Sequence, residues 1–247
     1  MITFDGCTRS FGTKVAVQPL NLVIPPGEFF AFLGQNGAGK TTTVKMAAGL
    51  LRPSAGRVLL DGIDIAEEPV RAKQLLAYVP DQPYLYDKLS GREFLRFVAG
   101  LYRMEEGTVR AEIERLVELF DMADWADELT ETYSHGMKQR IALASMLLHR
   151  PRVILLDEPL VGLDPQTSRL VKRVLREQAA QGATIFMSTH VLSVAEETAD
   201  RIGILDRGRL VALGTLAELR AQAGAAESLE AIFFRILERP AAEPEGR

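Results

Sequence analysis

The segment Gly34-Gln-Asn-Gly-Ala-Gly-Lys-Thr41 constrains the fold of this chain more than any other, because it matches the pattern G-x-x-x-x-G-K-[ST]. Its glycines let consecutive backbone amides turn toward one anion, and a helix N-terminus behind the loop adds its positive end. A β-branched and aromatic run at 28–33 precedes the loop, and a helical pattern at 39–51 follows it. This order predicts a nucleoside triphosphate site in which Lys40 neutralises phosphate oxygens and the Thr41 hydroxyl ligates Mg²⁺.

The remaining pattern places this loop in an α/β fold. Short β-branched runs alternate with longer helical stretches, and the continuous apolar runs 153–156 and 183–188 are typical of strands buried on both faces. Residues 2–9 and 20–24 read as further strands, and residues 90–123 change to a helical period. The sequence pattern therefore predicts a P-loop NTPase fold of the α/β class. It has a mostly parallel central sheet, an N-terminal antiparallel β subdomain and an inserted helical subdomain at about 88–150.

Two further segments carry candidate chemistry. The apolar run 153–156 delivers Asp157 and Glu158 at its carboxyl end, where ligands bind in open α/β sheets, although such a run also often ends at an ordinary solvated turn. Ser134 can cap a helix that has Gly136 in its first turn, which creates a second end able to receive an anion or simply an ordinary capped helix. The combination with the phosphate loop favours nucleotide hydrolysis.

These segments follow one another in the order found in ATP-binding cassette (ABC) ATPases, which the chain resembles over about residues 2–219. The resemblance implies Asp157 as the magnesium-binding aspartate, Glu158 as the catalytic carboxylate and His190 as the γ-phosphate sensor, with Lys40 stabilising developing charge. It also implies that Phe11 stacks on adenine. The nucleotide-binding residues it implies are Phe11, Gly34, Gln35, Asn36, Gly37, Ala38, Gly39, Lys40, Thr41, Thr42, Ser134, Gly136 and Asp164.

The sequence departs from the family pattern in two places. The signature, residues 133–137, has His135 and Met137 where the family commonly has Gly and Gln, but it keeps the serine and the second glycine. In the family a glutamine follows the proline that ends a strand, whereas here Pro80 is followed by Asp81 and then Gln82. Either Asp81 or Gln82 is therefore expected to serve as the additional metal and water contact, beside Thr41 and Asp157.

Composition limits where the chain acts. The 247 residues carry a formal net charge of −4, which argues against a domain built to bind nucleic acid. The single cysteine, Cys7, cannot form an internal disulfide, and the first residues do not read as a signal peptide. No apolar stretch is long enough to span a membrane. We therefore expect a cytoplasmic protein that reaches the cytoplasmic face of the cell membrane through a partner.

The resemblance implies a head-to-tail dimer, either a homodimer or a heterodimer with a second ABC ATPase. In it, Ser134 and Gly136 of one subunit close over ATP held by the other. We expect residues 1–220 to form the ATPase domain, and residues 221–247 a linker (221–228), a short helix (229–237) and a flexible tail. Ile232, Phe233, Ile236 and Leu237 are expected either to contact a dimer partner or to pack on the core.

The predicted function is that of an ATP-hydrolysing subunit of a membrane transporter, by resemblance an exporter of the ABC-2 type, which powers a separate permease. Tyr84, Leu85 and Tyr86 are candidates for a permease-binding patch, or for buried turn aromatics. Two alternatives remain. A non-transport ABC ATPase acting on ribosomes or DNA usually carries tandem cassettes or basic extensions, and a P-loop kinase leaves the signature helix and His190 unexplained.

Overall fold

The computed structural model describes residues 1–223 and 228–238, so residues 224–227 of the predicted linker and the predicted tail lie outside the described part. The strands, in chain order, are β1 (Ile2–Phe11), β2 (Lys14–Ile24), β3 (Phe29–Leu33), β4 (Ala55–Leu60), β5 (Ile63–Asp64), β6 (Leu76–Val79), β7 (Val153–Asp157), β8 (Thr184–Thr189), β9 (Arg201–Asp206) and β10 (Arg209–Gly214). The helices are α1 (Lys40–Ala47), α2 (Pro69–Gln74), α3 (Gly91–Leu101), α4 (Glu106–Leu119), α5 (His135–Leu147), α6 (Pro165–Ala180), α7 (Leu192–Thr198), α8 (Leu216–Ala223) and α9 (Leu229–Glu238).

The strands form two sheets, which confirms the predicted fold class. The N-terminal sheet has the order β2-β1-β4-β5 and its neighbours pair antiparallel. The central sheet has the order β10-β9-β3-β8-β7-β6, and its neighbours pair parallel except for the closing hairpin of β9 and β10. Helices α3 to α5 lie in the chain between β6 and β7 and form the predicted helical insertion.

The central sheet separates two hydrophobic cores, and alternation along its strands decides which side chain enters which core. In β3, Phe30 and Phe32 face the core shared with the N-terminal sheet and α1, whereas Ala31 and Leu33 face the core of the helical insertion. Strands β7 and β8 alternate in the same way. By this alternation, Asp157 at the end of β7 lies on the side of the sheet that carries α1.

A small polar joint connects the helical insertion to the start of β6. Tyr102 donates its hydroxyl to the carbonyl of Leu76 at 3.0 Å, and Nε2 of His149 lies 3.2 Å from the same oxygen. The two rings stack with their centroids 3.5 Å apart. Burial lowers the pKa of His149 to about 4, so the imidazole is neutral at physiological pH.

Several predicted element boundaries were wrong. Helix α1 ends at Ala47 rather than at residue 51, because Gly49 adopts a φ of +64° and the amide of Leu50 turns back to Lys45. Strand β2 begins at Lys14 rather than at residue 20. Helices α2 and α7 have only six and seven residues, too few for a helical period to stand out.

The C-terminal helix α9 packs on α7 and α8 and joins the hydrophobic core on the side of the central sheet that carries the helical insertion. Ile232 and Phe233 are buried in that core, and Ile236 and Leu237 pack against it. Of the two expectations for this helix, packing on the core is confirmed. Helix α8 continues to Ala223, so the first three residues of the predicted linker are helical.

Candidate functional site

The loop between β3 and α1 is built so that only glycine fits at two positions. A Cβ on Gly34 would lie 2.6 Å from the carbonyl oxygen of Leu205, and a Cβ on Gly39 would lie 2.5 Å from that of Ala16. Gly39 also has a φ of +110° and precedes α1 without a side-chain cap. The first amides of α1 are therefore free to bind an anion.

Lys40 is the buried cation of this loop, with 6% of its surface exposed. Its Nζ donates to the carbonyls of Gly34 at 2.8 Å and Gln35 at 3.2 Å, and it lies 3.7 Å from Oε1 of Glu158. Burial lowers the pKa of Lys40, while the charges of Glu158 and Asp157 act in the opposite direction. The structure thus holds a charged amine at the mouth of the loop, where phosphate oxygens can replace the two carbonyls.

Asp157 connects the ends of β7 and β8 to α1. Its Oδ1 accepts a hydrogen bond from the Thr41 hydroxyl at 3.2 Å and a short one from the hydroxyl of Ser188. Asp157 is only 1% exposed. Ser188 was not among the predicted site residues, although the alternation of β8 places it on the same face as Asp157.

Glu158 and His190 form the next pair, immediately beyond the strands. Nδ1 of His190 lies 2.9 Å from Oε1 of Glu158, and the His190 amide donates to Oε2 at 3.3 Å. Glu158 has a left-handed φ of +51°, and its amide donates to the carbonyl of Ser188 at 3.0 Å. This conformation, unfavourable for a non-glycine residue, turns the carboxylate out of the strand direction toward Lys40.

A pocket of about 510 Å³ opens beside the loop. Phe11 lines it with a ring that is 48% exposed, and the Arg9 guanidinium lies over that ring, 4.5 Å from its centroid. Lys14 and Arg207 also line the pocket and were not predicted. Lys14 follows the turn between β1 and β2, Arg207 lies in the turn between β9 and β10, and neither belongs to a sequence motif. The lining residues are Phe11, Lys14, Val15, Ala16, Asn36, Gly37, Gly39, Lys40, Thr41, Thr42, Asp81, Glu158 and Arg207.

The loop after β6 places Asp81, and not Gln82, along this pocket. Burial raises the pKa of the nearby Tyr78 to about 12, and the charges of Asp157 and Asp81 contribute to that rise.

The signature residues are placed elsewhere, at the start of α5. Ser134 caps this helix by accepting a hydrogen bond from the Met137 amide at 3.3 Å. A Cβ on Gly136 would meet nothing nearer than the Gly162 carbonyl at 3.9 Å, so this helix end is open. Neither Ser134 nor Gly136 lines the pocket of the phosphate loop.

Asp164 lies beside the signature rather than at the phosphate loop. It caps α6 by accepting from the amide of Thr167 at 2.9 Å and from its hydroxyl at 2.6 Å, and it pairs with Arg140 at 3.1 Å. The Thr167 hydrogen bonds and the Arg140 charge lower the pKa of Asp164. Within one chain, Lys40, Thr41, Asp157, Glu158 and His190 thus come together, whereas Ser134, Gly136 and Asp164 form a separate group.

Comparison with known proteins gives a consistent result. Residues 17–161 match the sequence model of the family described as ABC transporter. The chain is 37% identical over 234 residues to the "Probable multidrug ABC transporter ATP-binding protein YbhF" of Escherichia coli (strain K12). The match covers 93% of this chain but spans only 40% of that relative's length.

Solved structures share the fold. The chain is 31% identical to a structure described as "ATP binding subunit of ABC transporter", with a TM-score of 0.92 over 96% of this chain and 100% of that one. It is 26% identical to a dimeric ATP-binding cassette in a post-hydrolysis state bound to ADP and Pi, with a TM-score of 0.80 over 87% and 99% of the two chains. In the described part of this chain, no helix could cross a membrane.

Proposed function

The chain belongs to the ABC transporter family, and we propose that it is the ATP-binding and ATP-hydrolysing subunit of a membrane exporter, powering a separate permease. The observation that carries this proposal is the cluster of Lys40, Thr41, Asp157, Glu158 and His190 beside a glycine loop that opens a helix. These are the charges and hydrogen-bond donors that phosphoryl transfer to water requires.

The triphosphate of ATP would bind at the N-terminus of α1, with Lys40 releasing its two carbonyl partners for phosphate oxygens. Thr41 and Asp157 offer oxygen atoms 3.2 Å apart, and oxygen donors are the ligands that Mg²⁺ prefers, so this pair fits the ion. Asp81 would contribute from the loop after β6. When bound there, Mg²⁺ would neutralise charge that develops on the phosphates.

Glu158 would orient the attacking water and accept its proton. In the chain alone its carboxylate is held by both the ring and the amide of His190. A water molecule between Glu158 and the terminal phosphate would place the nucleophile in line, with His190 donating to a phosphate oxygen.

A second copy of the chain, or a related ATPase, would complete the site. The open end of α5 at Ser134 and Gly136 would bind an anion, and neither residue lines the pocket beside the phosphate loop of its own chain. A head-to-tail dimer would close this end over ATP bound to the partner. ATP would then favour the closed dimer, and hydrolysis would favour reopening.

The permease contact is proposed at an exposed aromatic patch made of Tyr84, Tyr86 and Phe97. Tyr84 is 80% exposed, and Tyr86 packs edge-on against both Tyr84 and Phe97, whereas Leu85 between the tyrosines is buried. The patch follows the Asp81 loop directly, so a helix bound there could sense the nucleotide pocket. This arrangement would hold the subunit at the cytoplasmic face of the membrane.

Glu158→Gln tests the ATPase mechanism, because it keeps the shape of the side chain and removes the base. We expect this variant to form a stable dimer with ATP but not with ADP, as measured by light scattering after gel filtration. Lys40→Ala in the same background is the control and should stay monomeric. A Glu158→Gln protein that binds ATP and remains monomeric would contradict the proposed closure.

Membrane fractionation tests the transporter assignment. Native protein should sediment with membranes, and Tyr84→Ser with Tyr86→Ser should release it. Phe234→Ser, which changes another exposed aromatic on α9, is the matched control and should not release it. Co-sedimentation with ribosomes instead of membranes would favour the non-transport alternative.

A further inference from the structure

The buried side-chain amide of Gln139 has one polar atom with a hydrogen bond and one without. It lies on α5, five residues after Ser134, with no exposed surface. Its Nε2 donates to the backbone carbonyl of Pro159 at 3.0 Å. Its Oε1 has no hydrogen-bond partner among the described residues. A buried oxygen without a donor is destabilising, and this cost offsets part of the stabilisation that the buried hydrogen bond to Pro159 provides.

The carbonyl that Gln139 binds belongs to the residue next to Glu158. The left-handed backbone of Glu158 must be held by its neighbours, because this conformation is unfavourable for a residue with a side chain. The amide of Glu158 is bound to Ser188 on β8. Gln139 binds the peptide group that joins Pro159 to Leu160, so Glu158 lies in the chain between one hydrogen bond to the sheet, at its own amide, and one to α5, at the next residue.

Two more contacts join α5 to the chain segment that begins at Glu158. The ring of His135 packs against Gly162, where an added Cβ would lie 2.7 Å from Cδ2. Arg140 pairs with Asp164 at 3.1 Å. Residues 158–164 are therefore tied to the first half of α5 at three points, of which only the Gln139 contact adjoins Glu158. We expect this segment and the open end of α5 to move as one unit.

We infer that Gln139 is a positioning residue that couples the two nucleotide sites of the dimer, an inference that rests on the proposed function. In each chain, Ser134 and Gly136 would face ATP held by the partner, while Glu158 acts on ATP held by the chain itself. Gln139 connects these two groups within one chain. Nucleotide bound at one site thereby sets the position of the carboxylate at the other.

The test is Gln139→Met, which keeps the length of the side chain and removes the amide. We expect kcat for ATP hydrolysis to fall by about 10- to 100-fold, since misplacing a reacting group by about 1 Å can cost about 100-fold. The Hill coefficient for ATP should fall from above 1 in the wild type to about 1. The Kd for a fluorescent ATP analogue on the isolated subunit should not change. Ser145→Ala, which alters only a hydrogen bond inside α5, is the matched control.

Several results would overturn the inference. Wild-type hydrolysis with a Hill coefficient of 1, or a folded Gln139→Met protein with normal kcat and Hill coefficient, would contradict coupling. A lower kcat with an unchanged Hill coefficient would mean that Gln139 serves its own site only. Gln139→Leu replaces the methionine variant if melting curves show that the latter is unfolded. Failure of Glu158→Gln alone to dimerise would instead overturn the proposed function, and the coupling with it.

Discussion

The two halves of the candidate site differ in how complete they are within one chain. Around the phosphate loop, Lys40, Thr41, Asp157, Glu158 and His190 contact one another through hydrogen bonds and ion pairs. At the signature, by contrast, the open end of α5 lies beside its own cap and the Gly162 carbonyl, and neither Ser134 nor Gly136 lines the pocket.

This difference follows from the elements that carry each half. Parallel neighbouring strands bring their carboxyl ends to one edge of the central sheet, so Asp157, Glu158 and His190 meet there by topology alone. The signature lies on the helical insertion, which is attached to the sheet at its flank. Such a half-site, open to solvent and separate from the pocket of its own chain, is expected where a second chain completes the site.

Mixing two inactive variants tests most directly whether a second chain completes the site. Lys40→Ala disables the phosphate loop, and Gly136→Asp places a repelling carboxylate at the open end of α5. We expect each alone to lose about 100-fold or more in hydrolysis, the scale for removing one anion-stabilising group. Their mixture forms heterodimers with one intact composite site, so activity should rise at least about tenfold above either variant. Steady-state phosphate release measures this.

The aspartate is a clean probe because the fold tolerates it. A Cβ at Gly136 clashes with nothing, and an acid in the first turn favours a helix. Gly107→Asp, in the first turn of α4 with equally open surroundings, is the matched control and should keep full activity. Absence of rescue in a mixture whose chains do dimerise would show that each chain hydrolyses ATP with its own residues.

The polar joint of Tyr102 and His149, which connects the helical insertion to β6, should make the stability of the protein depend on pH. His149 has a pKa of about 4 in the folded protein against an ordinary value near 6.5, so the unfolded chain binds more protons between these values. The stabilisation from neutral His149 is present above pH 6.5 and is lost as the pH falls toward 4. Relative to His149→Gln, the wild-type free energy of unfolding should drop by about 3 kcal/mol from pH 7 to pH 4.

Urea unfolding of both proteins at the two pH values checks this prediction, because protonation of other groups affects both proteins equally. An equal loss of stability in wild type and His149→Gln would show that the imidazole is not held neutral at this joint.

Much of the phosphate-loop half of the site could be predicted from the sequence, because its motifs are short continuous segments. In the glycine loop and in the strand that ends at Asp157, the residues that fix the backbone and the residues that carry the chemistry are neighbours in the sequence. Ser188 was missed because its position beside Asp157 depends on the pairing of β7 with β8, which are far apart in sequence. Lys14 and Arg207 were missed because they belong to hairpins that carry no motif and reach the pocket only through the tertiary fold. The contacts of Gln139 with Pro159 and of Arg9 with Phe11, on which the proposed roles rest, could not be predicted from sequence spacing because they form only in the folded chain.

Substitutions of Asp81 and Gln82 test which of these two residues belongs to the phosphate-loop half of the site. Because Asp81 lines the pocket and Gln82 does not, we expect Asp81→Ala to lower kcat about tenfold, the lower range for groups that support a metal site. Gln82→Ala should change it less than about twofold. Magnesium titrations of ATPase activity should shift for the first variant only. The reverse ranking would mean that the loop presents Gln82 when nucleotide is bound.

The smallest expected effect concerns the outer wall of the pocket, where Arg9 lies over the ring of Phe11 and is itself held by a hydrogen bond to the carbonyl of Arg52 at 2.9 Å. Phe11 lines the pocket and Arg9 does not, so the ring face opposite the guanidinium is the one we propose for adenine. A cation–π contact at an exposed site contributes about 0.5–1 kcal/mol, and Arg9→Met should raise the KM for ATP about two- to fivefold with kcat unchanged.

Phe11→Ala provides the decisive background for this small effect. If Arg9 acts only by holding the ring, its substitution in the Phe11→Ala protein should add nothing, and the double-mutant cycle measures that coupling directly. Arg57→Met, on the adjacent strand β4, removes another exposed arginine and should leave KM unchanged. Additive effects of the Arg9 and Phe11 substitutions would show instead that the guanidinium contributes through its charge to the phosphates, so the adenine platform would consist of the ring alone.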